Sequence, residues 1–211
     1  MSRVRLPPYV AAVVSRTVDT MPTSGAVALG FRVKSGYAIA VAVQGPASDP
    51  TVIARKVVEL SDPEVGETRQ PYHHGFYTHE KDPKAIARLV KIVGRCAKQS
   101  VAALIDDLHV RAGRAGLVVG SVIDPAQVGN LHIRAHASEG QLFRTVLCDA
   151  LRSHGLECDV TVQKQLAAKA AARLRRSDGE INRVLTAFGK VLGGPWRADE
   201  KAASTAAWIS L

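Results

Sequence analysis

His132, His136 and Glu139 stand at spacings of four and seven residues. On an α-helix those positions share one face, and two imidazoles beside a carboxylate make a plausible set for zinc or manganese. A helix beginning only near Ile133 would leave His132 in the preceding loop, and the same residues also read as a hydrated polar face. His73, His74 and His79 fall in a polar stretch with Arg69, Tyr72, Phe76, Tyr77 and Lys81. Aromatics among bases can stack on nucleobases; docking of the loop onto its own domain explains them equally well.

The 28 basic and 19 acidic residues give a formal net charge of +9, an excess that favours polyanions through long-range attraction and counterion release. The densest basic region holds Lys164, Lys169, Arg173, Arg175, Arg176, Arg183 and Lys190, with no acid between Lys164 and Arg176. Lys169, Arg173 and Arg176 are spaced for one helix face, fitting either phosphate contact or a solvated surface. Three scattered cysteines argue against a disulfide framework or zinc ribbon, and Cys96 and Cys148 read as small core residues. The usual nucleotide-loop and serine-hydrolase patterns do not occur. With no membrane-length apolar run and no convincing secretory signal, a cytoplasmic protein is expected.

These residues need elements to position them. Residues 25–34, 36–44 and 50–60 read as three strands separated by turns, an antiparallel meander. Asp82-Pro83 opens a helix whose apolar periodicity runs to about Val110. Leu117–Ile123 is a continuous apolar run expected as a strand buried on both faces, at or near the centre of the sheet. A helix from Ile133 to His154 ends at Gly155, and Glu157–Gln163 alternates as a fifth strand. Helices follow over 164–174, over 181–192 behind a Ser177–Glu180 capping box, and over 198–211. The helix between strands four and five implies a parallel pair. Residues 1–23 read as a loosely docked arm and 24–211 as one domain.

That order resembles the ribonuclease H-like superfamily, and within it the RuvC-type resolvases. Two stretches carry the resemblance: Ala28-Leu-Gly-Phe-Arg-Val-Lys-Ser-Gly-Tyr-Ala, similar to the family's first hairpin, and Asp178–Leu211, similar to its closing helices. The resemblance implies an α/β, ribonuclease H-like fold: a five-stranded mixed sheet, its antiparallel meander followed by parallel strands, flanked by helices. It also implies carboxylates on the first strand, the fourth strand and the last helix, holding two divalent ions. Here Arg32 stands at the first of these places, Gly120 near the second, and Lys201 and Ser204 at the third.

The expectation is therefore a non-catalytic ribonuclease H-like domain that binds nucleic acid or a complex assembled on it. Arg32, Lys34, Lys169, Arg173, Arg175, Arg176 and Lys201 would meet phosphate, and no resident cofactor is expected. One alternative is a nuclease using Mg²⁺ or Mn²⁺ on the displaced set Asp124, Glu139, Asp199 and Glu200. Another is an assembly protein whose small-residue helices pack against partner copies.

Overall fold

The computed structural model describes residues 26–73, 82–109 and 112–211. The expected N-terminal arm, His74 and His79 lie outside the described residues. Strands β1 (Val27–Val33), β2 (Tyr37–Gln44) and β3 (Thr51–Glu59) form the antiparallel meander. Gly36, at φ 82°, makes the β1–β2 turn in the left-handed region, where glycine escapes the Cβ clash. Helix α1 (Pro83–Leu108) follows, with the Asp82 carboxylate accepting from the Lys84 amide at 2.9 Å. Next come β4 (Ala112–Val119), α2 (Leu131–Ser153), β5 (Glu157–Val162), α3 (Leu166–Leu174), α4 (Asp178–Leu192) and α5 (Ala198–Ile209). The strand order is β3-β2-β1-β4-β5, with β1–β4 and β4–β5 parallel. No helix among the described residues is long and apolar enough to cross a membrane.

Strand alternation divides the core into two layers. Leu29, Phe31, Val33, Leu117 and Val119 face α1 and α2, meeting Val93, Val101, Phe143 and Leu147. Val41, Val43 and Val118 face α3, α4 and α5, meeting Leu166, Leu185, Phe188 and the fully buried Trp208. The closing helix lies very close to the sheet. A Cβ on Gly116 would come within 2.7 Å of the Ala206 carbonyl oxygen, and one on Gly30 would overlap the Ala203 carbonyl oxygen. Glycine on β1 and β4, facing alanine on α5, is what permits this approach.

Three expectations are corrected. The fourth strand begins at Ala112 and ends at Val119, not Ile123. Its parallel partner β1 ends at Val33, so Val122 and Ile123 have no ladder to join and lie about half exposed. Residues Ala112–Gly116 are the strand's first part, with Gly116 required by α5. The strand lies beside the central β1, so its expected place at or near the centre of the sheet holds. Helix α2 starts at Leu131, two residues early, because the Asn130 side chain caps it by accepting from the Ile133 amide at 3.0 Å; His132 is therefore helical. Helix α3 stops at Leu174, with Arg175 in the left-handed conformation at φ 53°, so Arg176 does not continue the face of Lys169 and Arg173.

Candidate functional site

Strands β1, β3 and β4 point the same way, so their carboxyl ends share one edge of the sheet. In open α/β sheets this is where ligands gather. Two clusters of polar side chains form there.

The first joins the end of β1 to the start of α5. Arg32 points to the α5 side, as Gly30 does two residues earlier. Its Nε lies 3.3 Å from Asp199 Oδ1, and its Nη1 donates to the carbonyl oxygens of Val33 at 3.2 Å and Val118 at 3.4 Å. The Lys34 ammonium lies 3.2 Å from the other Asp199 oxygen. Glu200 is buried: its Oε1 lies 3.5 Å from Arg55 Nη1, and its Oε2 accepts from the Arg197 amide at 2.9 Å as half of a capping box. Ser204, fully buried, donates its hydroxyl to the Glu200 carbonyl at 2.7 Å. Lys201 lies one residue on, half-buried. Three cations thus hold two carboxylates, and the Arg32 side chain keeps only 14 % of its surface exposed. Arg32 is engaged inside the protein more than it is presented for phosphate.

The second cluster lies on the α1/α2 side. After β3 the chain makes a 3-10 turn at Gly66–Arg69 and reaches Tyr72 and His73. Tyr72 packs against the α1/α2 core layer, so this aromatic docks on its own domain; burial and the nearby Glu139 charge raise its phenol pKa. The two-residue advance of α2 brings His132, His136 and Glu139 onto one face, and His73 comes to meet them. His73 Nδ1 lies 2.6 Å from Glu139 Oε1, with both side chains buried. His136 Nε2 lies 3.2 Å from His132 Nε2, and His136 Nδ1 lies 3.7 Å from Glu139 Oε2. The rings of His73 and His136 are 4.6 Å apart between centroids. Burial raises the Glu139 pKa, opposed by the His73 hydrogen bond and charge and by the Tyr72 backbone amide. Partial burial and the two neighbouring imidazoles lower the His136 pKa, favouring the neutral ring that can offer a lone pair.

The structure does not gather the displaced acidic set. Asp124 caps a 3-10 turn at Pro125–Gln127, accepting from the Ala126 amide at 3.0 Å. Asp199 and Glu200 are held by cations, and Glu139 sits among histidines on the other side of the sheet. Among the described residues, the one group of three or more side chains with ligand atoms within 4.8 Å of one another is His73, His132 and His136. Pairing His132 and His136 with Glu139 was within reach of sequence, and Asn130 as a cap would have settled the helix start. The contribution of His73, separated from Glu139 by 66 positions, has no local signal.

Of the basic residues, Arg173 and Arg175 are exposed. Lys169 is tied to Asp159 and to the Thr161 hydroxyl. Arg176 donates to the Ser48 carbonyl and covers the Trp208 ring at 5.2 Å. Residues 163–192 carry seven basic against two acidic side chains, a balance of +5, on the sheet face covered by α3, α4 and α5. The cysteines are free, with Cys148 buried and hydrogen-bonded to Cys158.

The sequence matches no family model and no curated protein. Solved structures do resemble it. The Thermus thermophilus RuvC structure superposes with a TM-score of 0.52 at 10 % identity, covering 87 % of this chain and 92 % of that one. T. thermophilus RuvC in complex with Holliday junction substrate gives 0.51 at 11 % identity, covering 87 % and 91 %. At such identity the likeness establishes the architecture: the five-stranded mixed sheet with flanking helices is a ribonuclease H-like fold.

Proposed function

We propose that this chain is a nucleic-acid-binding domain that does not cleave phosphodiesters by two-metal chemistry. One observation carries the reading: at the carboxyl end of the central strand, a guanidinium is paired with the first acid of the closing helix. Arginine stays protonated throughout the accessible pH range. A divalent ion approaching Asp199 would have to displace both Arg32 and Lys34 or sit beside them, and like charges in a partly desolvated place repel strongly. The nucleic-acid part draws support from the net charge of +9 and from a similar fold that carries a Holliday junction substrate in T. thermophilus RuvC. Arg173 and Arg175, exposed and in a stretch from Lys164 to Arg176 that holds no acid, are the contacts best placed for phosphate.

The test is a cleavage assay with Mg²⁺ and with Mn²⁺ on single-stranded, duplex and four-way-junction DNA and RNA, paired with binding measured across a salt series. The expected result is no cleavage and an affinity that falls steeply as salt rises. Metal-dependent cleavage by the purified protein, abolished by Asp199→Asn, would overturn the non-catalytic reading. Salt-insensitive or absent binding would overturn the nucleic-acid reading.

A further inference from the structure

We infer that His73, His132 and His136 form a binding site for one late first-row divalent ion, Zn²⁺ or its substitute Co²⁺, with Glu139 as the carboxylate that orients His73. The geometry has four parts. First, one nitrogen from each imidazole lies within 4.8 Å of the other two. The His132 Nε2 to His136 Nε2 distance of 3.2 Å matches the separation of about 3.3 Å between two ligands at about 2.0 Å from a tetrahedral ion. Second, His73 Nε2 is buried without a hydrogen-bond partner, and buried polar nitrogens without partners are rare in folded proteins. Its other nitrogen is taken by Glu139, so Nε2 is the one left for an ion.

Third, the Glu139 contact is the arrangement in which a carboxylate receives one ring N–H and thereby fixes the tautomer and basicity of the nitrogen on the metal side. Glu139 Oε2 lies 3.7 Å from the Nδ1 of His136, beyond hydrogen-bond distance, so the buried carboxylate backs one of the three ligands, His73. Fourth, the site is not closed. The His136 side chain keeps 50 % of its surface exposed while that of His73 keeps 5 %. Three protein ligands with a solvent-facing fourth position is the pattern of an ion that can bind water or an anion as well. Three neutral imidazoles suit Zn²⁺, Co²⁺ or Ni²⁺ and are poor ligands for Mg²⁺ or Ca²⁺, which prefer oxygen. This ion would be unrelated to the two-metal chemistry considered above, since none of its ligands comes from β1, β4 or α5.

The experiment uses tag-free full-length protein stripped with chelator. Zn²⁺ is titrated calorimetrically and against a chromophoric competitor, and Co²⁺ is followed by its visible absorption. One ion per chain should bind with Kd below about 1 μM. The Co²⁺ protein should show the intense visible bands of four- or five-coordination. His136→Ala, on an exposed helix face, and His132→Ala should each weaken binding at least 100-fold while thermal melting of the stripped protein stays close to wild type. Glu139→Gln should keep the stoichiometry and weaken binding about 10–100-fold, the range for loss of an orienting partner. Binding weaker than about 100 μM, weak octahedral-type Co²⁺ bands, or affinity unchanged in His132→Ala and His136→Ala would each overturn the site. In that case the cluster is held by imidazole hydrogen bonds alone.

Discussion

Replacing Asp199 by asparagine tests whether nucleic acid passes the β1 end, because it removes a negative charge that would oppose phosphate there. In the structure Asp199 pairs with both Arg32 and Lys34 and offsets one of their two charges. Asparagine keeps the shape and removes the charge. A phosphate oxygen in contact with Lys34 would lie about 3 Å beyond the ammonium, hence about 6 Å from the lost carboxylate, given the 3.2 Å pair distance. At the dielectric of water, unit charges at that separation interact by about 0.7 kcal/mol, so affinity for a polyanion should rise about 3-fold. The salt slope should steepen by about 0.9 if one further phosphate is engaged. The pair is partly shielded, with 14 % and 35 % of the two side-chain surfaces exposed. Its loss should therefore cost about 1 kcal/mol of stability, between surface and buried pairs, or about 2–4 °C in melting temperature for a chain of this size. Fluorescence anisotropy on labelled single-stranded, duplex and junction DNA between 50 and 200 mM salt measures the first two quantities. Unchanged or weaker binding by a folded variant would refute the idea that nucleic acid passes this end of the sheet.

Other outcomes follow from the same structure. Arg173→Glu with Arg175→Glu should reduce the steepness of the salt dependence by about 2 and leave melting almost unchanged. Arg176→Glu should lower the melting temperature, since this residue bonds the Ser48 carbonyl and covers Trp208. Gly30→Ala forces a methyl group into the Ala203 carbonyl oxygen and should cost about 3 kcal/mol or more, read from urea midpoints; Gly113→Ala, with open space around its Cβ, is the control. The Glu180 carboxyl is held below its ordinary pKa by the Ser177 hydroxyl and backbone amide. Its contribution is therefore full above its unfolded pKa and is lost as pH falls through the folded value. The stability advantage of wild type over Glu180→Gln should shrink between neutral pH and about pH 3.

The meander, the caps at Asp82 and Ser177 and the Gly155 stop were legible because each is written in neighbouring residues: turn glycines, a carboxylate or hydroxyl before a helix, alternating apolar runs. The misplaced fourth strand shows where local reading stops. Leu117–Ile123 is the more apolar stretch, yet the strand is fixed by where β1 ends and by the need for glycine opposite α5, neither of which lies in the segment itself. Arg175 in a left-handed conformation is similarly silent in sequence, because arginine carries no turn preference. The histidine cluster was half legible. Helical spacing offered His132, His136 and Glu139, whereas His73 was one histidine among several in a polar loop until the fold carried it to Glu139.

The period of two along β1 also decides how the two clusters relate. Leu29, Phe31 and Val33 point into the α1/α2 layer, while Gly30 and Arg32 point towards α5. The ion pairs therefore belong to one face and the histidines to the other, although both open at the same edge of the sheet. Their partners differ: Val33, Val118, Arg55 and Arg197 on one side, Tyr72 on the other. Groups without shared partners perturb one another little. Asp199→Asn should accordingly leave the stoichiometry and affinity for Zn²⁺ unchanged, and His136→Ala should leave the salt slope of polyanion binding unchanged. If an ion at the histidines altered that slope by one or more, the bound nucleic acid would have to reach across the sheet edge to the α2 side. The reciprocal measurement, Zn²⁺ affinity with and without saturating DNA, would then have to shift by the same factor.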